Sequence, residues 1–427
     1  MDRQFWVMIL ITIGLIIVDM YIITGIKGAS KKWKFPRKRS FIIGYWVFSI
    51  TLIAGLFASV YMRMNIGARA AFLMIFFLVW IAKVLFLPFI LVDDVRRLFL
   101  WKARKHNKPE PEFPASQPAP DAIPRSEFLM KAGLIAGSLP LASLSYGVIS
   151  GAYDYRVKHR TLYLPNLPKA FDGIKLGQLS DIHSGSFYNK RAVTGGVEML
   201  LKEKPDFIFF TGDLVNHISS EMRDYQDIFA KVKAPLGVYS SLGNHDYGDY
   251  HDWPSLAAKK KNLDDLKTTH KNMGWDLILN DNRRLKVDGE EIGILGVENW
   301  GSMSRFPKYG RVDLAVKNTD DLPVKLLLSH DPSHWRAQVL DYRDIDVMFA
   351  GHTHGMQFGI QTQHFQWSPI QYVYKEWGGF YREGNQQLYV NTGFGFLGYP
   401  GRVGILPEIT IFTLKASADP ALKGKLV

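Results

Sequence analysis

The chain contains no cysteine. Disulfides, zinc–thiolate sites, iron–sulfur clusters and a cysteine nucleophile are thereby excluded, and any bound metal must be held by His, Asp, Glu or Asn. The lack of disulfides leaves the compartment open, because a well-packed domain outside the cytoplasm can do without them. Also missing are an internal repeat and either of the usual glycine-rich phosphate loops. Acidic residues are scarce at the front: residues 1–150 hold 8 Asp and Glu against 19 Lys and Arg, whereas the rest of the chain holds 32 against 33. A positive excess lying between apolar runs is the mark of membrane orientation, while a nucleic-acid footprint would sit on the folded domain. No nucleic-acid partner is therefore expected. At 47% hydrophobic and 22% charged residues a disordered chain is excluded as well.

What is present at the front is a set of four long apolar runs: Phe5 to Ile26, Phe41 to Met62, Ala70 to Val92 and Phe128 to Ile149. About 20 apolar residues rising about 1.5 Å each cross a hydrocarbon core about 30 Å thick. Residues 1–150 are expected to form an α-helical transmembrane domain of about four helices, with a separate domain over residues 151–427. The loop after the first run carries Lys27, Lys31, Lys32, Lys34, Arg37, Lys38 and Arg39; the loop after the second has only Arg63 and Arg69. After the third come Arg96, Arg97, Lys102, Arg104, Lys105, Lys108 and Arg125, around a Pro-rich linker from Pro109 to Pro124. The positive-inside rule puts the first and third loops in the cytoplasm. With the fourth run as an anchor, the expectation is a multi-pass inner-membrane protein whose second domain lies outside the cytoplasm. Asp19 and Lys83 interrupt apolar runs; packing inside the bundle or interfacial placement is the plainer account, an intramembrane functional pair the sharper one.

From Ile174 onward short apolar runs alternate with helix-like stretches, which indicates α/β layering. The strand candidates are Ile174 to Leu179, Asp206 to Thr211, Gly237 to Leu242, Ile292 to Val297, Val324 to Ser329 and Asp346 to Ala350. Five of them end in polar clusters: Ser180-Asp181-Ile182-His183, Gly212-Asp213, Gly243-Asn244-His245-Asp246, His330-Asp331 and Gly351-His352-Thr353-His354-Gly355. Ligands of α/β sheets bind at the carboxyl ends of strands, so the five clusters are candidates for one pocket. Gly212, Gly243 and Gly351 stand at the exits, where the chain turns sharply and a Cβ would obstruct the site.

This ordered set resembles the calcineurin-like metallophosphoesterase superfamily, and within it the membrane-linked bacterial branch. The resemblance spans roughly residues 155 to 415. It implies a two-sheet α/β sandwich in which Asp181, His183 and His354 bind one metal, Asn244, His330 and His352 bind another, and Asp213 bridges the two. It also implies His245 as general acid or as a stabiliser of phosphoryl charge, with Asp246 fixing its tautomer and orientation. Many relatives carry Asp where this chain has Asn216, a position outside the ligand set. Imidazole and carboxylate without thiolate suit Mn, Fe, Zn or Co, so two divalent transition ions are the expected cofactors. Paired ions clamp the oxygens of an in-line displacement and acidify a bridging water, which would be the nucleophile.

The function that follows is hydrolysis of phosphoric esters, phosphodiesters first, with a lipid-linked substrate suggested by the membrane anchor. Tyr247, Tyr250, Trp253, Phe187 and Met356 lie near the motifs as candidates for an apolar rim. Two alternatives stand beside it. One is hydrolysis of a lipid nucleotide-sugar pyrophosphate, a cytoplasmic substrate that the orientation opposes. The other is a catalytically silent membrane sensor or scaffold, which the complete ligand set opposes.

Overall fold

The computed structural model describes residues 3–28, 34–62, 66–106, 125–362 and 365–417. The Pro109–Pro124 linker and the cations Lys31, Lys32, Arg63 and Lys108 lie outside them. The chain divides into two compact units, Met1–Ser145 and Tyr146–Val427.

In the first unit the apolar runs form helices α1 (Arg3–Gly28), α2 (Arg39–Tyr61), α3 (Ile66–His106) and α4 (Arg125–Ile149). Each is long and apolar enough to cross a membrane. Most of their apolar side chains face outward, as expected where the surroundings are lipid rather than water. The third run goes further than its hydropathy suggested: α3 continues for 41 residues through Pro88, so Arg96, Arg97 and Lys102 stand on a helix and not in a loop. On this extension the buried carboxylate of Asp93 pairs with Arg96 at 2.8 Å and Arg97 at 2.7 Å, and accepts from Ser126 of α4. Deeper in the bundle Asp19 and Lys83 form an ion pair at 2.6 Å, joined by the hydroxyls of Tyr45 and Ser49. Packing inside the bundle is therefore where these charges sit.

The second unit contains the strands β1 (Arg156–Tyr163), β2 (Lys175–Leu179), β3 (Phe207–Phe210), β4 (Val238–Ser240), β5 (Asp276–Leu277), β6 (Asp281–Val287) and β7 (Glu290–Gly296). There follow β8 (Lys325–Leu328), β9 (Val347–Ala350), β10 (Ile360–Gln361), β11 (Gln366–Trp367), β12 (Gly379–Glu383), β13 (Gln386–Val390) and β14 (Glu408–Lys415). Two six-stranded sheets result, in the orders β1-β14-β2-β3-β4-β5 and β12-β13-β9-β8-β7-β6, with β10 and β11 as a separate hairpin. All six strands expected from the sequence are present, with ends that differ by at most two residues; β7 starts earlier, at Glu290, and the others are shorter.

Alternation along the strands explains the sandwich. Phe207 and Phe209 of one sheet and Leu326, Leu328, Val347 and Phe349 of the other share a single buried cluster between the sheets. Their neighbours Ile208 and Phe210 face an outer cluster on the first sheet, and Leu327, Met348 and Ala350 one on the second. Burial on both faces is why these strands read as unbroken apolar runs. Each buried Phe or Leu contributes roughly 1.5–3 kcal/mol, which makes the strand bodies a stiff platform for the loops at their ends.

Candidate metal centre

The loops leaving β2, β3, β4, β8 and β9 meet at one place. Ligand atoms of Asp181, His183 and His354 lie within 4.8 Å of one another, and so do those of Asp213, His330 and His352. The Asp213 carboxylate links the groups, with Oδ2 at 3.1 Å from His330 Nε2 and 3.5 Å from His183 Nε2. Asn244 joins the second group through Oδ1, 2.8 Å from His352 Nδ1. All seven residues assigned to metal from the sequence are thus brought together.

The backbone is bent to do it. Asp181, His183, Asp213, His352 and His354 all have φ between 49° and 72°, the left-handed region that non-glycine residues rarely occupy. Strain of about 1–3 kcal/mol per residue persists only where the surroundings enforce it, and such outliers gather at functional sites. Space is equally tight: a Cβ on Gly351 would collide with Ser180 Oγ and Asp181 Oδ2, and one on Gly243 with Asp213 Oδ1.

Hydrogen bonds fix which ring nitrogen is left over. His330 Nδ1 lies 2.7 Å from the Thr211 carbonyl and His183 Nδ1 3.1 Å from Asn216 Oδ1, so each ring donates there and leaves Nε2 for a proton or a metal. Nε2 of His183, His330 and His354 is buried and makes no hydrogen bond, although carboxylate oxygens stand within 3.1–3.5 Å. At His183 this sets a lone pair opposite an ionised oxygen across a buried gap, unfavourable unless a positive charge lies between them, and at His330 and His354 a proton or a metal ion would fill the same gap. Divalent ions fit this donor set.

The electrostatics agree. Burial alone would raise Asp181 and Asp213, but the neighbouring His354 and His330 hold both carboxyls below the usual range. Burial lowers His183, His352 and His354, keeping them neutral. Ionised carboxylate and neutral imidazole are the states in which both act as ligands. His330 is the exception: burial lowers it, yet the Asp213 charge pushes it up to about 10, so this spot draws positive charge, as a proton or as a metal.

One expectation is corrected. Asp246 does not touch the His245 ring, whose Nδ1 lies instead 2.7 Å from the backbone carbonyl of Asn216. The Asp246 carboxylate accepts from the amides of Asp213, Leu214, Val215 and Gly243, lashing the β3 loop to the β4 loop. The apolar rim is corrected too: Phe187 and Tyr247 are buried in the core, and the cavity of about 300 Å³ over the cluster is lined by Tyr250, Phe306, Ile370, Tyr374 and Leu397, with Arg305 at its edge.

Three supporting residues were given no role by the motifs. The Tyr374 hydroxyl stands 2.9 Å from His352 Nε2 and 3.3 Å from the fully buried Asp331, orienting that imidazole from behind. Arg402, also fully buried, donates to the carbonyls of Thr392 and Gly393 and lies 3.1 Å from His354 Nδ1, opposing its protonation. Tyr374 and Arg402 belong to no short motif; Asp331 directly follows a predicted ligand and could have been weighed.

Two family descriptions match the chain, "Probable Calcineurin-like phosphoesterase, transmembrane domain" over residues 3–152 and "Calcineurin-like phosphoesterase" over residues 174–356. The chain is 30% identical over 303 residues to the uncharacterized metallophosphoesterase YkuE of Bacillus subtilis, covering 69% of this chain and 98% of that protein. It is 29% identical to a transmembrane protein with metallophosphoesterase domain from Danio rerio, covering 63% of this chain and 60% of that protein. The corresponding figures for the uncharacterized metallophosphoesterase Cj0846 of Campylobacter jejuni are 28%, 64% and 67%.

Proposed function

The chain belongs to the calcineurin-like phosphoesterase family, and on that premise we propose that it is a membrane-anchored phosphodiesterase working at two divalent transition ions. The observation that carries this reading is the pair of Asp and His groups whose buried ring nitrogens face carboxylates without hydrogen bonds. Asp181, His183 and His354 would hold one ion, Asn244, His330 and His352 the other, and Asp213 would be shared. Bound there, the ions would supply Lewis acidity toward the phosphoryl oxygens and an acidified water as nucleophile.

The remaining residues have separate tasks. His245 lines the cavity with Nδ1 tied to the Asn216 carbonyl, which leaves Nε2 as the nitrogen that, from the imidazolium form, would deliver a proton to the leaving oxygen. Asp246 acts as a positioning residue, because the amides it gathers carry Asp213 on one side and follow directly on to Asn244 on the other. Tyr250, Phe306 and Leu397 give the mouth an apolar side that suits an aryl or acyl group next to the phosphate, as in a lipid-linked diester. The bias of basic residues toward the segments that follow the first and third apolar runs supports a catalytic domain outside the cytoplasm.

Asp213→Ala is expected to abolish hydrolysis of an aryl phosphodiester, by more than about 1,000-fold, and to lower metal content. His245→Ala should keep both metals and lose most turnover. About two transition ions per purified chain support the enzyme, whereas none, with intact folding, supports a silent scaffold. Full activity of Asp213→Ala would overturn the site. A reporter fused at the carboxyl terminus decides the orientation.

A further inference from the structure

From Thr353 to Tyr374 the sequence runs 22 residues without an Asp, Glu, Lys or Arg, in a chain where such residues make up 22%. The inner side of this stretch is pinned. Ile370, Tyr374, Trp377 and Ile405 form a small core of their own, and the Ser368 hydroxyl donates to the Gly355 carbonyl at 2.7 Å. Its outer side is apolar and open: Met356 is 54% exposed, Ile360 50%, Phe365 57%, Tyr372 77% and Val373 57%. Large apolar side chains held outward by a packed scaffold mark a contact surface.

Cations stand beside it. Gln361 and Phe365 form one wall of a groove of about 700 Å³, and Arg156, Lys158 and Arg160, at alternate positions on the edge strand β1, form another. Lys158 is neutralised by the buried Glu408 at 2.7 Å, and Arg156 pairs with Asp154 at the surface. Arg160 has no ion-pair partner among the described residues.

We propose that the side chains of Met356, Ile360, Phe365, Tyr372 and Val373, with Arg160 beside them, form a face that lies in the headgroup layer of the bilayer, favouring anionic lipid. Three observations single out the bilayer as the occupant. Aromatic and aliphatic side chains without charge are the composition that enters the interfacial layer. The neighbouring guanidinium matches anionic phosphates. Finally, the apolar helices of the same chain keep a bilayer always at hand, so weak contacts suffice. The inference rests on membrane anchoring and not on the hydrolytic reading.

The absence of native cysteine allows a direct test on the full chain. Phe365→Cys, Tyr372→Cys and, as control, Lys260→Cys are labelled with a fluorophore and placed in nanodiscs containing doxyl-labelled lipid. Lys260 is exposed on the Leu256–Met273 helix, which packs on β5 at the far edge of the sheet from β1. Labels at 365 and 372 should be quenched at least about threefold more than the label at 260, more so with phosphatidylglycerol than with phosphatidylcholine alone. Arg160→Glu should remove the difference between the two lipids. Equal quenching at all three positions would overturn the proposal, and so would labels shielded from soluble iodide yet untouched by doxyl lipid, the pattern of a protein partner or a second copy. Hydrolysis of a soluble aryl phosphodiester by the Phe365→Cys and Tyr372→Cys chains reports on the metal site separately.

Discussion

In the membrane unit Asp19 is completely buried, yet its carboxylate meets Lys83 at 2.6 Å and the Tyr45 hydroxyl at 2.5 Å, while Lys83 turns a further proton to Ser49. Asp19 Oδ2 is left without a hydrogen bond. In the phosphoesterase domain Asp213 is equally buried, but the Nε2 atoms of His183 and His330 beside it are buried with no hydrogen bond. The backbone differs in the same sense: Asp19 and Lys83 sit within regular helices, whereas Asp213 and four of its fellow candidate ligands sit at positive φ. A buried charge whose partners are supplied by the protein is a closed unit that holds helices together. A buried charge whose neighbouring ring nitrogens are left unbonded is open and waits for a cation.

The comparison breaks first, and by the largest margin, at the ion pair. Lys83→Met leaves Asp19 uncompensated and should destabilise the bundle by roughly 3–5 kcal/mol, measured by unfolding in mixed micelles. Combining it with Asp19→Leu removes both charges and should return most of that loss, with hydrolysis per folded chain unchanged. If the double variant folds but no longer hydrolyses, the pair is a functional site and the distinction between closed and open charge fails.

A second closed unit lies in the phosphoesterase domain itself and sharpens the contrast through pH. Glu408 is fully buried, which by itself would raise its carboxyl, but Lys158 at 2.7 Å and the hydroxyls of Tyr389, Thr392 and Thr410 bring it down to about 2. A folded pKa below the unfolded value of 4.5 gives stability that is present above about pH 4.5 and lost as the pH falls toward 2, roughly 3 kcal/mol in all. Glu408→Gln should flatten that part of the stability curve between about pH 4.5 and pH 2. The open cluster should respond in the same window by releasing metal, a loss that chelators reproduce at neutral pH and that Glu408→Gln leaves unchanged.

Legibility followed the same division. The strands that carry candidate ligands were readable because burial on both faces makes them unbroken apolar runs, and because Gly212, Gly243 and Gly351 punctuate their exits. The edge strand β1, Arg-Val-Lys-His-Arg-Thr-Leu-Tyr, was not, since an edge exposed to water tolerates charges that look like a loop. The ligand positions were readable as motifs, each ligand lying next to a strand end in sequence. The groups behind them were not: Tyr374 reaches His352 across 22 positions, and Arg402 comes from irregular chain after β13. Asp246 shows the limit from the other side, since adjacency to His245 suggested contact while the turn sends the two side chains to different partners.

Asn216 tests the open site with the smallest and most specific change. Its side-chain oxygen accepts from His183, its amide nitrogen donates to Ser186 at 2.9 Å, and its backbone carbonyl holds His245. Asn216→Ala deletes the first two and keeps the third, so His183 loses its guide while His245 does not. Loss of a group that orients a metal-binding imidazole lowers metal affinity about 10–100-fold, and excess metal should restore most of kcat. Asn216→Asp offers a carboxylate to the same Nδ1–H and should bind metal at least as tightly as the parent chain. Metal titration followed by activity separates the outcomes: turnover that excess metal does not restore would move Asn216 from orienting His183 to contacting substrate, and the first metal group would then be held by fewer supports than its buried geometry requires.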